Sequence, residues 1–407
     1  MKRAKLKEIC DRITVGHVGP MADQYTAVGI PFLRSQNVSP FRLQTEDIKF
    51  IPRHFHEKLR KSALHAGDVV VVRTGYPGTA CVIPESMRES NCADLVVITP
   101  SQVLNPYYLA AIFNSAWGQA TIAGKLVGVA QQHFNITTAR EMEVVLAPRG
   151  IQDRIAHILS AYDDLIENNS RRIQILEQMA RALYREWFVE FRFPGYEKLR
   201  RVASRLGSAP QGWELKYFPD CVDVDPRVVV SRDNEKPFVP MGSLASDSML
   251  ITDIESRTSN SGAKFRNGDT LFARITPCLE NGKTGFVQFL PDPSAVACGS
   301  TEFIVLRSRM LTPEFVYLLA RSEEFRNNAI KSMSGATGRQ RVQERCFDKF
   351  VVAQPPRDVL ERFSAVAAPL FGQVQVLHLQ ADNLRRTRDH LLPRLLSGQI
   401  ILNEAAA

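Results

Sequence analysis

The spacing of apolar residues predicts the largest elements first. From Ile151 to Trp187, apolar or seam-compatible residues fall at Ile151, Ile155, Ile158, Tyr162, Leu165, Asn169, Ile173, Leu176, Ala180, Leu183 and Trp187. Steps of four and three describe a long helix with a coiled-coil seam, and Asn169 marks a stutter. No Pro or Gly interrupts the stretch from Ile158 to Phe188. The same stripe returns at an offset of 208 (Val359 against Ile151): Val359, Phe363, Val366, Leu370, Gln373, Leu377, Ala381, Leu384, Arg388, Leu391 and Leu395. Two matching stripes make each helix the simplest partner of the other. We expect an antiparallel pair over residues 150–190 and 357–397, with a first helix of about 57 Å at roughly 1.5 Å per residue. Glu167, Arg171, Arg172, Gln174, Glu177, Gln178 and Arg181 are expected on its solvated face, and Pro369 is expected to kink or break the second helix.

Between the helices the pattern shortens to strands, and it repeats. HAGDVVVVRTG (65–75) resembles RNGDTLFARIT (266–276) at an offset of 201 (Gly268 against Gly67). CADLVVITPSQVLNPYYLAAIF (92–113) resembles GSTEFIVLRSRMLTPEFVYLLA (299–320) at an offset of 207 (Pro313 against Pro106). EMEVVLAPRGIQDRIAHILSAY (141–162) resembles KFVVAQPPRDVLERFSAV (349–366) at an offset of 208 (Pro356 against Pro148). Each copy reads as strand, loop and helix, with Asn105-Pro106 or Thr312-Pro313 as cap and first helical residue. A period of this size means a duplicated domain. The reading is therefore α+β: two pseudo-symmetric mixed α/β domains, at 1–149 and 205–355, separated by two long helices forming an antiparallel coiled coil. Residues 191–213, rich in basic residues, Gly, Pro and Ser, are expected to be a loose linker.

A chain of 407 residues supports two or three domains. A net charge of +8 suits a polyanionic partner without requiring one. The cysteine number, seven, is odd, and no two are spaced as C-x-x-C, which argues against a disulfide framework or a zinc site and for a reducing cytoplasm. MKRAKLKEICDR lacks the apolar core of a secretory signal, and Val69 to Val72 is far too short to span a membrane.

Three short motifs invite an enzymatic reading, and the residues answer each. Asn105-Pro106-Tyr107-Tyr108 is similar to a methyltransferase amine-binding loop, but its repeat counterpart, Thr312-Pro313-Glu314-Phe315, shares only the helix-capping ability. Gly282-Lys283-Thr284 ends like a Walker A loop, yet position 277 is Pro where the loop needs Gly. His54 and His56 have no Cys or Asp nearby to complete a metal set, and RHFHEKLRK reads as a basic solvated face. No P-D…[DE]-x-K nuclease arrangement occurs. We expect no cofactor and no catalysis.

GDVVVVRTG (67–75), LVGVAQQHFNIT (126–137), LEQMARALYREWFVEF (176–191), RITPCLENGKTGFV (274–287) and LLPRLLSGQI (391–400), with the alternation of domain and helix, resemble the DNA-specificity subunit of type I restriction–modification systems. The resemblance implies two target-recognition domains, each reading half of a split DNA site, with the helix pair as a ruler. It implies partners as well: double-stranded DNA, two methyltransferase subunits and the restriction/translocase subunits, with no membrane. A protein–protein adaptor whose domains never touch bases is the alternative.

Base readout needs Arg, Lys, Gln, Asn, Ser or His on projecting loops. Three loops recur with that chemistry. Arg34, Ser35, Gln36 and Asn37 match Met241-Gly242-Ser243. Arg73 and Thr74, followed by Gly75-Tyr76, match Arg274-Ile275-Thr276. Gln131, Gln132 and His133 match Arg339, Gln340 and Arg341, with Lys125 and Lys331 nearby. Arg73 and Arg274 could instead anchor their own strand turns. The paired loops differ in side chain, as two domains reading different half-sites require: Gln131-Gln132 suits adenine, and Arg339 and Arg341 suit guanine.

Overall fold

In the computed structural model, residues 2–124, 133–204, 207–230, 234–258, 260–335, 340–400 and 402 are described. The chain divides into two compact units, Met1–Glu167 with Ala381–Ala407, and Asn168–Gln380. Each unit takes part of both long helices.

The units share the same main sheet. In unit 1 a four-stranded antiparallel sheet has the order Cys10–Val15, Leu95–Pro100, Val69–Val72, Ala80–Val82. In unit 2 the order is Val222–Val224, Phe303–Ser308, Thr270–Ala273, Thr284–Phe286, again antiparallel. The central register repeats: Val69 faces Ile98, and Thr270 faces Leu306. A smaller sheet joins Ile30–Leu33 in parallel to Asn91–Cys92, as Lys236–Val239 joins Ala297–Gly299. The uninterrupted run Val69–Val72 has a physical reason: Val69 and Val71 face one apolar cluster, and Val70 and Val72 face another. A strand covered on both faces has no use for alternation.

The Gly-Asp turns are the sharpest repeat. Gly67 and Gly268 have φ of 85° and 87°, a backbone that residues with a Cβ rarely adopt. The carboxylates of Asp68 and Asp269, both about 1% exposed, accept the backbone N–H of His65 and Arg266, each at 2.8 Å. A buried carboxylate needs a cation. Asp68 is served by Arg12 at 2.6 Å from the strand Cys10–Val15. Asp269 is served by Arg307 at 2.6 and 2.8 Å from the strand Phe303–Ser308. Arg12 pairs across strands with Thr99, and Asp223 with Arg307, so the guanidinium has moved to the facing position of the same pair.

Each sheet is covered by two short capped helices. Asn105 accepts the backbone N–H of Tyr107 and Tyr108 at 2.8 and 3.1 Å, and Thr312 accepts that of Phe315 at 3.3 Å. The Tyr108 hydroxyl donates to the Val145 carbonyl at 2.9 Å. The capping reading of this motif therefore holds.

The long helices are Arg149–Tyr184, extended by a π-helical turn at Arg185–Val189, and Arg357–Ser397. They run antiparallel. In unit 1 Asp163 meets Arg388 at 2.5 Å, and Ile155 and Leu159 share a core with Leu392 and Leu395. In unit 2 the rings of Trp187 and Phe188 lie 5.9 and 4.7 Å from that of Phe363. The buried stripe, however, differs from the expected seam. Ile155, Leu159, Asn169, Ile173, Glu177, Ala180, Tyr184 and Trp187 are buried, whereas Leu165 is 55% exposed. On the second helix Ala367, Phe371 and Val374 replace Val366, Leu370 and Gln373 in the stripe. Both stripes shift by one residue where aromatic rings of the domain claim a place, as Phe286 and Tyr317 do against Phe371 at 4.9 and 5.6 Å. Glu177 also corrects the expectation of a solvated side chain. It accepts from the Ser248 hydroxyl at 2.6 Å and the Met249 N–H at 2.8 Å, with Arg181 at 3.3 Å.

Pro369 does not break its helix, which runs continuously through it. Pro369 is exposed and so is Ala365, whose carbonyl loses its helical donor, so water can replace the missing bond. Residues 191–213 are also not a loose linker: Arg201–Ser204 pairs with Gly207–Pro210, and the rings of Phe191 and Phe193 lie 5.0 and 5.7 Å from Trp213.

Candidate nucleic-acid interface

In unit 1 the strand Val69–Val72 ends at Arg73, and Gly75 and Gly78, with φ of 93° and 94°, turn the chain back. The Arg73 carbonyl accepts the Phe134 N–H at 3.1 Å. Phe134 is buried against Phe113, with ring centroids 6.0 Å apart, so the segment after the third loop is fixed. The Thr74 hydroxyl lies 3.0 Å from His133 Nδ1. Arg73 reaches Asp94 at 3.0 Å, one residue before the strand Leu95–Pro100. Tyr76 stands 84% exposed at the turn.

Unit 2 builds the same bracket. The Arg274 carbonyl accepts the Val342 N–H at 2.9 Å. The Thr276 N–H and hydroxyl donate to the Gln340 carbonyl at 3.1 and 3.2 Å. Arg341 exchanges backbone bonds with Ser334 and grips Glu302 at 2.7 and 2.9 Å. This hydrogen bond holds the Glu302 carboxyl below its usual range. Arg274 donates to the Val342 carbonyl at 3.1 Å and lies 3.3 Å from Glu344. Beside them Asp225 is pushed up to about 6 by burial, with Glu344 adding to the shift.

The second and third loops thus come together in both units. Arg73, Thr74 and His133 form one group; Arg274, Gln340 and Arg341 form the other. Lys331 is exposed at the end of Glu323–Lys331, shortly before Ser334. Lys125, Gln131, Gln132 and Arg339 lie outside the described residues. The side chains of Arg73 and Arg274 are both hydrogen-bonded within their own units, by the contacts above.

The first loop is bound elsewhere. Arg34 and Gln36 both reach the Asp47 carboxylate, at 3.0 and 2.8 Å. Asp47 sits below the usual carboxylate range through hydrogen bonds from Lys49 and Arg34. Asn37 is buried: its Oδ1 accepts the Arg34 N–H at 3.0 Å and its Nδ2 donates to the Gln44 carbonyl at 3.2 Å. Ser35 is half-buried in the same turn. In unit 2 Ser243 is likewise buried, donating to the Asp253 carbonyl at 3.1 Å.

Residues 3–178 match the family model described as the Type I restriction modification DNA specificity domain. In sequence the chain is similar to type I restriction–modification specificity subunits. It is 26% identical over 281 residues to the MjaIX specificity subunit of Methanocaldococcus jannaschii, covering 66% of this chain and 63% of that one. It is 28% identical over 194 residues to the EcoAI specificity subunit of Escherichia coli, covering 46% and 33%. The matches thus span less than two thirds of these relatives. The crystal structure of the S subunit from M. genitalium has the same fold, with a TM-score of 0.58 and 12% identity over 97% of this chain and 95% of that one.

At this site the sequence reading missed the acids. Asp94 and Glu302 each immediately precede the equivalent strand. The sequence alignment at offset 207 sets Thr301 opposite Asp94. Strand register (Phe303 facing Ala273, Leu95 facing Val72) sets Glu302 there instead, because the one-residue difference lies in the loop after the strand. Among the described residues no cluster of metal-ligating side chains occurs, and no helix is long and apolar enough to cross a membrane. His56 is buried, with its Nδ1 3.2 Å from Asn91 Nδ2, where a solvated face was expected.

Proposed function

We propose that this specificity subunit reads a two-part, asymmetric site on double-stranded DNA, one half with each repeat. In this reading it performs no chemistry of its own, and its helix pair holds two methyltransferase subunits and the restriction/translocase subunits. The observation that supports it best is the duplicated bracket: the same backbone bond joins loops two and three in both units, while the side chains carried there differ. A common frame with different polar side chains is what two readers of different sequences need. Exposed apolar residues on the helices, among them Ile175, Met179, Val376 and Leu379, suit docking of subunits along the pair. The adaptor alternative has no observation of its own in its favour.

The test is selection of preferred duplexes from a random library by the full chain. Gln340→Ala combined with Arg341→Ala is expected to erase preference in one half-site and leave the other intact. Retention of both half-sites would overturn the assignment of this loop, and the absence of any preferred site with wild type would overturn the reading as a whole.

A further inference from the structure

The two brackets share a feature that their readout chemistry does not require. At the same position in each unit, just ahead of the equivalent strand, stands a carboxylate bound to an arginine of a candidate reading loop. Asp94 holds Arg73 at 3.0 Å, and Glu302 holds Arg341 at 2.7 Å. The arginines come from different loops, the second in unit 1 and the third in unit 2, so the acid keeps its place while its cation changes. Asp94 is 39% exposed at its side chain and Glu302 is 21% exposed. Neither is needed to neutralise a buried charge.

A guanidinium has five donors arranged in a planar fork, with more than one edge able to bind an acceptor pair. Glu302 accepts from Nε and Nη2 of Arg341, and Asp94 accepts from Nη1 of Arg73. A second edge of each fork remains for the two acceptors of a guanine. The carboxylate fixes the rotamer that presents that edge. Its charge also offsets that of the arginine, so the pair attracts a phosphate weakly while still offering oriented donors to a base.

Resting on the DNA-reading function above, we propose that Asp94 and Glu302 are specificity-determining positioning residues: each aims its arginine at a base edge and suppresses that arginine's use as an unspecific phosphate contact. The acids thereby set the ratio of specific to random binding in each half-site independently.

The experiment compares the full-length wild type with Glu302→Gln, using a random-sequence duplex and the library-selected duplex across a series of monovalent salt concentrations. Freeing one cation is expected to tighten random-duplex binding on the order of tenfold at low salt and to steepen the slope of log affinity against log salt by about one. Binding to the selected duplex gains less, so the specificity ratio falls, and base preference weakens at one half-site only. Glu302→Asp keeps the charge and is expected to restore the wild-type slope, which a merely structural strut would not predict. Asp94→Asn gives the same readout at the other half-site and serves if Glu302→Gln does not fold by circular dichroism. An unchanged slope and an unchanged ratio in a folded variant overturn the proposal while DNA reading stands. If wild type selects no site, both fall together.

Discussion

Arg12 and Arg307 serve equivalent buried aspartates, Asp68 and Asp269, from opposite members of equivalent cross-strand pairs. What the fold conserves between its halves is therefore a charge at a point in space, and either strand can deliver it. Asp269 is about 1% exposed, and its two carboxylate oxygens accept from Nε and Nη2 on one edge of the Arg307 guanidinium. Removing the cation leaves a buried charge whose remaining hydrogen-bond donor, among the described residues, is the Arg266 N–H. Arg307→Met is expected to lower stability by about 3 kcal/mol, the scale for a broken buried pair. Chemical denaturation of the variant checks this, and moving the cation across the pair (Asp223→Arg with Arg307→Thr) should recover part of the loss. A loss under 1 kcal/mol would show that the Gly-Asp turn does not depend on its counter-ion.

The long helices show how much an element owes to its surroundings. Their existence, direction and approximate ends were legible in the sequence, because a four-three stripe sustained over about ten turns, and repeated at a fixed offset, has few other solutions. Which residues form the seam was not, since an apolar pattern favours Leu165 and Leu176, yet the first is exposed and the second yields its buried place to Glu177. The choice was made by the domain: Ser248 and Met249 present donors that draw Glu177 inward, and the Phe286–Tyr317 pair draws in Phe371. Neighbours at long sequence separation leave no trace in a local pattern. The same holds for the candidate interface, where the loops could be picked out by their polar residues but the acids that aim them could not. Nor could the sequence tell that Asn37 is spent inside its own turn. Glu177→Ala strands two donors against the helix and is expected to destabilise the chain by about 2 to 3 kcal/mol. A thermal melt that moves by less than one degree would place the anchor elsewhere.

Across the whole molecule, duplication gives two units whose frames are alike and whose loops are not, the two readers of the proposed function. The proposed ruler makes separation along a duplex part of what is recognised, with one turn of DNA near 34 Å as the relevant length. Four residues added at matching points of both long helices add about 6 Å of rise at roughly 1.5 Å per residue. Selection from random libraries is expected to return the same two half-sites with a longer spacer. An unaltered spacer would mean that something other than helix length measures the gap. The composition of unit 1 carries a consequence for synthesis on the ribosome. Its apolar cluster includes Leu392 and Leu395, close to four hundred residues from Ala4 and Leu6 in the same cluster. The unit translated first is therefore the one finished last: its neighbour can close around Phe188 and Phe363 while it still waits with a bare flank, and a premature stop codon late in the message would damage the half-site reading proposed for the part encoded at the beginning.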